Sequence, residues 1–65
     1  MNVILNGQPR PTADGQSVRG LLDELKLSCD RVAVELNRRL LRTDKYDTPL
    51  KEGDELEIVT FVGGG

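Results

Sequence analysis

The sequence closes on Gly63-Gly64-Gly65, directly after the segment Glu55-Leu56-Glu57-Ile58-Val59-Thr60-Phe61-Val62. A terminal carboxylate at Gly65 is ionised at neutral pH, because an α-carboxyl group titrates near ~3.5, and as a poor electrophile it reacts only after activation. Glycine suits a terminus that must enter another protein's active site. Without Cβ it passes a narrow channel and takes backbone angles closed to other residues. Three extended residues reach about 10 Å beyond a last strand. The rest of the chain offers little for catalysis. With no His and a single Cys, it cannot assemble a Ser-His-Asp triad, a Cys-His pair, a zinc finger or an internal disulfide. Cys29, which falls between a helical and a strand pattern, reads as an ordinary reduced thiol. Most ordinary catalytic designs are thus excluded, and on their own the three glycines read as a frayed end or a linker ahead of a presented group.

Composition narrows the partners. Nine Lys and Arg against eleven Asp and Glu leave a net charge of −2, with one Phe, one Tyr and no Trp. Such a chain lacks the cationic excess and the stacking surfaces that nucleic-acid binding needs. Leu, Ile, Val and Phe make up 19 of 65 residues, enough to bury a core in one small domain. No apolar run exceeds three residues, so neither a membrane span nor a signal-peptide core is expected, and the protein is expected in the cytoplasm. A core this small has no room for a drug-sized internal pocket. Function belongs on a surface or at an end.

The elements that position the glycines follow from periodicity. Met1 to Leu5 is a short apolar strand, and Asn6-Gly7 predicts a two-residue hairpin because both residues tolerate positive φ. The return strand, Gln8 to Thr12, carries Pro9 and Pro11, which place it at a sheet edge or leave it ragged. Asp14-Gly15 reads as a turn and Ser17 as a helix N-cap. Val18, Leu21, Leu22 and Leu25 share one stripe of a helix expected over Val18 to Leu27, in which Gly20 is a tolerated defect or a close contact with neighbouring backbone. Val32, Val34 and Leu36 then alternate with Ala33, Glu35 and Asn37, as in a strand with one buried face. Asn37-Arg38-Arg39 predicts a turn into a short strand around Leu40 to Arg42. Thr43 to Thr48 reads as a loop or single helical turn anchored by Tyr46. After Lys51-Glu52-Gly53-Asp54, a last strand runs from Glu55 to Val62 with Leu56 and Ile58 on one face. The layout is α+β, a mixed sheet of four to five strands with one main helix across one face. The pairing order stays open at this point.

Glu55, Glu57, Val59 and Phe61 occupy the other face of that last strand. Two apolar residues among carboxylates beside the tail fit a docking patch, and equally fit a strand twisted into the core or covered by a loop. Arg38, Arg39 and Arg42 form a basic cluster, and Glu52, Asp54, Glu55 and Glu57 an acidic one. Both read as solvated surface ahead of any steering role.

The opening Met1 to Gly7, Val32-Ala33-Val34-Glu35-Leu36-Asn37, Thr48-Pro49-Leu50-Lys51-Glu52-Gly53-Asp54 and Glu55 through Gly65 together resemble the ThiS family, the sulfur carriers of thiamine biosynthesis, over essentially the whole chain. The resemblance implies a ubiquitin-like β-grasp domain over 1–62 and a flexible glycine tail over 63–65. It implies that the Gly65 carboxylate is adenylated and converted to a thiocarboxylate, with Gly63 and Gly64 as the tail. Carriers of this kind bind no cofactor themselves; the partner enzyme uses ATP and magnesium. The implied partners are a ThiF-type adenylyltransferase, a ThiG-type thiazole synthase and a sulfur donor such as a cysteine desulfurase. Arg38-Arg39 departs from the family, where the turn more often holds a Gly or a polar residue. A molybdopterin-type carrier or a ubiquitin-like modifier would share the ending, and a β-grasp interaction module with an inert tail is the alternative from another class.

Overall fold

A computed structural model describes residues 1–61. The strands are β1 (Asn2–Leu5), β2 (Gln8–Pro11), β3 (Val32–Leu36), β4 (Arg39–Leu40) and β5 (Glu55–Thr60), and the helix α1 is Val18–Glu24. Short 3-10 turns occupy Cys29–Arg31 and Thr43–Lys45. The sheet order is β2-β1-β5-β3-β4. β1 and β5 run parallel in the middle, and every other pairing is antiparallel. A central parallel pair flanked by hairpins, with one helix across one face, is the β-grasp arrangement expected above.

The β1–β2 hairpin turns through Asn6 (φ 49°) and Gly7 (φ 83°), both left-handed as a tight two-residue turn requires. Pro9 lies opposite Ile4 and Pro11 opposite Asn2, whereas Met1 exchanges both backbone bonds with Thr12 at 2.8 and 2.7 Å. Both prolines therefore turn their missing N–H outward, which blunts the exposed edge of the sheet.

Ser17 caps α1, its hydroxyl accepting from the Gly20 N–H at 3.0 Å, and the Arg19 N–H donates to the Tyr46 carbonyl at 2.9 Å. Two of the donors left free at a helix start are thus satisfied. The helix ends sooner than its apolar stripe suggests. Leu25 is the C-cap, Lys26 turns left-handed at φ 60°, and the Lys26 and Leu27 N–H groups donate to the carbonyls of Asp23 (3.0 Å) and Leu22 (2.9 Å). That pair of bonds is a Schellman motif, which normally takes Gly at its left-handed position. Leu25 consequently sits half-buried against the core, while Val18, Leu21 and Leu22 are fully enclosed. A Cβ on Gly20 would meet the Gln16 side chain, not neighbouring backbone.

The core joins these helix residues to Val3, Val32, Val34, Leu56 and Ile58 from the sheet, closed from below by Tyr46 and Leu50. Tyr46 is the largest of the fully buried side chains. The short strand is Arg39–Leu40, ending before Leu41, whose N–H donates to the Val34 carbonyl at 2.8 Å. β5 ends at Thr60, although the Phe61 N–H still donates to the Arg31 carbonyl at 2.8 Å. Val62, the expected end of that strand, and the tail Gly63, Gly64 and Gly65 lie outside the described residues. Among the described residues no helix is long and apolar enough to cross a membrane.

Candidate functional site

β5 is the element that leads into the terminal glycines, and its pairing determines what accompanies them. Val34 opposite Ile58 and Leu36 opposite Leu56 turn Leu56 and Ile58 onto the helix, leaving them 1% and 8% exposed. The alternate residues Glu55, Glu57 and Val59 must then point to the open face. Val59 is 59% exposed and Phe61, at the next outward position, 57%. Of the two placements open in the sequence, the exposed one is observed.

The register adds a residue that sequence reasoning did not single out. Leu40 pairs with Glu35, and Glu35 pairs with Glu57, so all three side chains rise on the open face. Leu40 is 71% exposed. Leu40, Val59 and Phe61 are the exposed large hydrophobics of the described residues, and Ala33, opposite Val59, lies among them. An apolar patch among carboxylates on one sheet face is a surface suited to docking. A two-residue strand has no periodicity to reveal where Leu40 points; only its pairing with Glu35 could have signalled it.

Electrostatics divide the acidic cluster. The Glu52 carboxylate accepts from the Asn2 N–H at 3.0 Å, and that of Asp54 from the Lys51 N–H at 2.8 Å and the Asn37 amide at 3.1 Å. Those two acids hold turns in place. Glu55 and Glu57 are exposed, and Glu57 faces Glu35 directly across β3, a like-charge pairing that costs a few tenths of a kcal/mol or more. The strand residues of the open face carry no cation. Arg38 and Arg39 lie at the β3–β4 turn, where Arg38 adopts φ 71°, and Arg42 pairs with Asp44 at 3.4 Å. The Arg38 departure from the family is therefore a left-handed position held by a residue with Cβ, and the turn forms around it.

Cys29 is half-buried, 3.5 Å from the Arg19 guanidinium, which itself pairs with Asp47 at 2.6 Å. Among the described residues no group of three or more His, Cys, Asp or Glu side chains is placed to hold a metal ion.

Residues 3–65 match the ThiS family. A protein named Sulfur carrier protein ThiS, from Thermus thermophilus, is 39% identical over 64 residues, 97% of this chain and 98% of that one. A protein named Thiazole synthase, from Paramagnetospirillum magneticum, is 38% identical across the whole of this chain, which spans only 20% of its length. The crystal structure of the thiamine biosynthesis protein ThiS from Geobacter metallireducens has a TM-score of 0.82 with this fold, at 39% identity over 100% of both chains. With the central parallel pair, the open face beside β5 and a match that runs from Val3 to Gly65, the chain belongs to the ThiS family.

Proposed function

We propose that the chain is a non-catalytic sulfur carrier of thiamine biosynthesis, acting in the cytoplasm, whose working group is the Gly65 carboxylate. The observation that carries this reading is that the family match continues through the glycines to Gly65. Activation requires an acyl adenylate: a carboxylate oxygen attacks the α-phosphorus of ATP and pyrophosphate leaves. A ThiF-type adenylyltransferase supplies ATP and the magnesium that neutralises its phosphates. A sulfur nucleophile, drawn from a donor such as a cysteine desulfurase, then attacks the acyl carbon. With a donor persulfide as that nucleophile, AMP departs to leave an acyl disulfide, and a thiol then attacks the donor-side sulfur, forming a disulfide with it and releasing the thiocarboxylate.

The folded body docks while Gly63 and Gly64 pass into the enzyme. Val59 lies on the strand that leads into the tail and Phe61 directly after its end, and with Leu40 they form the docking patch of this proposal. A ThiG-type thiazole synthase is the proposed acceptor of the sulfur. A segment similar to this whole chain lies within a longer protein named Thiazole synthase, which supports that partnership.

Deleting Gly65 tests the reading. The new carboxylate on Gly64 stops one residue, about 3.5 Å, short of the α-phosphate, so pyrophosphate exchange catalysed by the adenylyltransferase should vanish while the thermal melt stays that of the parent. Parent rates in the deletion would show that Gly65 is not the group activated, and no exchange with the parent itself would identify the glycines as an inert tail on an interaction module.

A further inference from the structure

We infer that Asn6 is a positioning residue for the tail, an inference that rests on the carrier reading above. β1 grips β5 through its backbone only as far as the Asn6 N–H, which donates to the Leu56 carbonyl at 2.8 Å. The chain then turns away through φ 49° and 83°. At that point the Asn6 side chain replaces the missing strand. Its Oδ1 accepts from the Ile58 N–H at 2.8 Å and its Nδ2 donates to the Ile58 carbonyl at 3.3 Å. A side-chain amide carries the same donor and acceptor as a peptide group, so the parallel ladder gains one more rung without more backbone.

Among the described residues these are the last bonds on the β1 edge of β5. On the β3 edge, bonding continues to the Phe61 N–H and the Arg31 carbonyl. β5 is therefore held on both edges up to Ile58 and on one edge beyond it. Val59, Phe61 and the path to Gly65 all lie past the grip. Without it, two-edged bonding ends at Leu56 instead of Ile58, the one-edged stretch that carries the base of the tail lengthens by two residues, and the carboxylate meets the α-phosphorus from a less fixed origin. A misplacement of about 1 Å can cost 100-fold in rate.

The other hairpin provides an internal control. Asn37 (φ 52°) also turns left-handed and also grips β5, its Oδ1 accepting from the Glu55 N–H at 3.0 Å and its Nδ2 donating to Asp54 at 3.1 Å. That grip holds the entrance of β5, away from the tail. Asn6→Gly and Asn37→Gly each keep the positive φ and remove two side-chain bonds. Comparable losses of thermal stability are expected from both.

The test is pyrophosphate exchange with the adenylyltransferase as a function of carrier concentration, with amide hydrogen exchange on the free carrier. Asn6→Gly should lower kcat about tenfold or more and speed exchange at the Ile58 amide, whereas Asn37→Gly should leave both near the parent. Asn6→Asp, which sets a second acceptor against the Ile58 carbonyl, should lower kcat in the same way and stands in should the glycine variant fold poorly. Equal kcat losses in the Asn6 and Asn37 variants, or parent kcat in both Asn6 variants, would overturn the inference. A parent protein that supports no pyrophosphate exchange, with Ile58 protection still lost in Asn6→Gly, would overturn the carrier reading and leave the grip standing.

Discussion

Truncating Phe61 to alanine separates docking from folding, because the two effects draw on different parts of the ring. A phenyl side chain contributes about 150 to 250 Å² when fully enclosed, and Phe61 leaves 57% of its surface in solvent. Roughly 110 Å² is thus free to be covered by a partner, worth about 3 kcal/mol at ~25 cal/mol per Å². Interface aromatics at the centre of a patch commonly carry about 2 kcal/mol or more. The surface already covered by the fold is roughly 85 Å², part of which an alanine Cβ retains, so about 1 kcal/mol of stability is lost. Since each ~1.4 kcal/mol is tenfold in affinity, Phe61→Ala should weaken binding to the adenylyltransferase by about 30- to 100-fold. Calorimetric titration gives the first quantity and a denaturant melt the second. Normal affinity with a stability loss of about 3 kcal/mol or more would assign the ring to the core and refute the reasoning.

Leu22 is fully enclosed between α1 and the sheet, so Leu22→Ala should cost about 2 to 5 kcal/mol in a urea melt; an unchanged midpoint would contradict the packing of the helix. Lys26→Gly should raise stability by up to ~1 kcal/mol, since it relieves the left-handed strain at φ 60° while keeping the Schellman bonds. Burial holds the Tyr46 phenol above its ordinary pKa. The fold then favours the neutral form, whose contribution is complete below about pH 10 and lost as pH rises through the folded value. Stability should fall in that alkaline window, and Tyr46→Phe should flatten the fall.

Local signals along the chain specify the elements that local energetics decide. The Ser17 cap, the Val18, Leu21 and Leu22 stripe, the Asn6-Gly7 turn and the alternation of Val32 and Val34 all appear where their patterns place them. The helix end did not, because Lys26 carries no signal for a left-handed position. The half-buried packing of Leu25 and Leu27 against the core accompanies the early turn. The parallel pairing of β1 with β5 joins residues some fifty positions apart in the chain, among them Asn6 and Ile58 at a separation of 52. Periodicity contains no information at that range. The candidate site was legible to a similar extent. Alternation put Val59 and Phe61 on one strand face, but only the Val34–Ile58 register showed that this face is open and that Leu40 joins it.

The central claim concerns one atom at the Gly65 carboxyl group. The carrier, incubated with the adenylyltransferase, ATP, magnesium and a sulfur donor, can be weighed intact and its C-terminal peptide sequenced by mass. The account predicts that sulfur replaces one oxygen in the peptide ending at Gly65, and that the oxygen form returns after incubation with the thiazole synthase and its other substrates. An unchanged C-terminal peptide, or a whole added sulfur atom located on the Cys29 peptide, would contradict it.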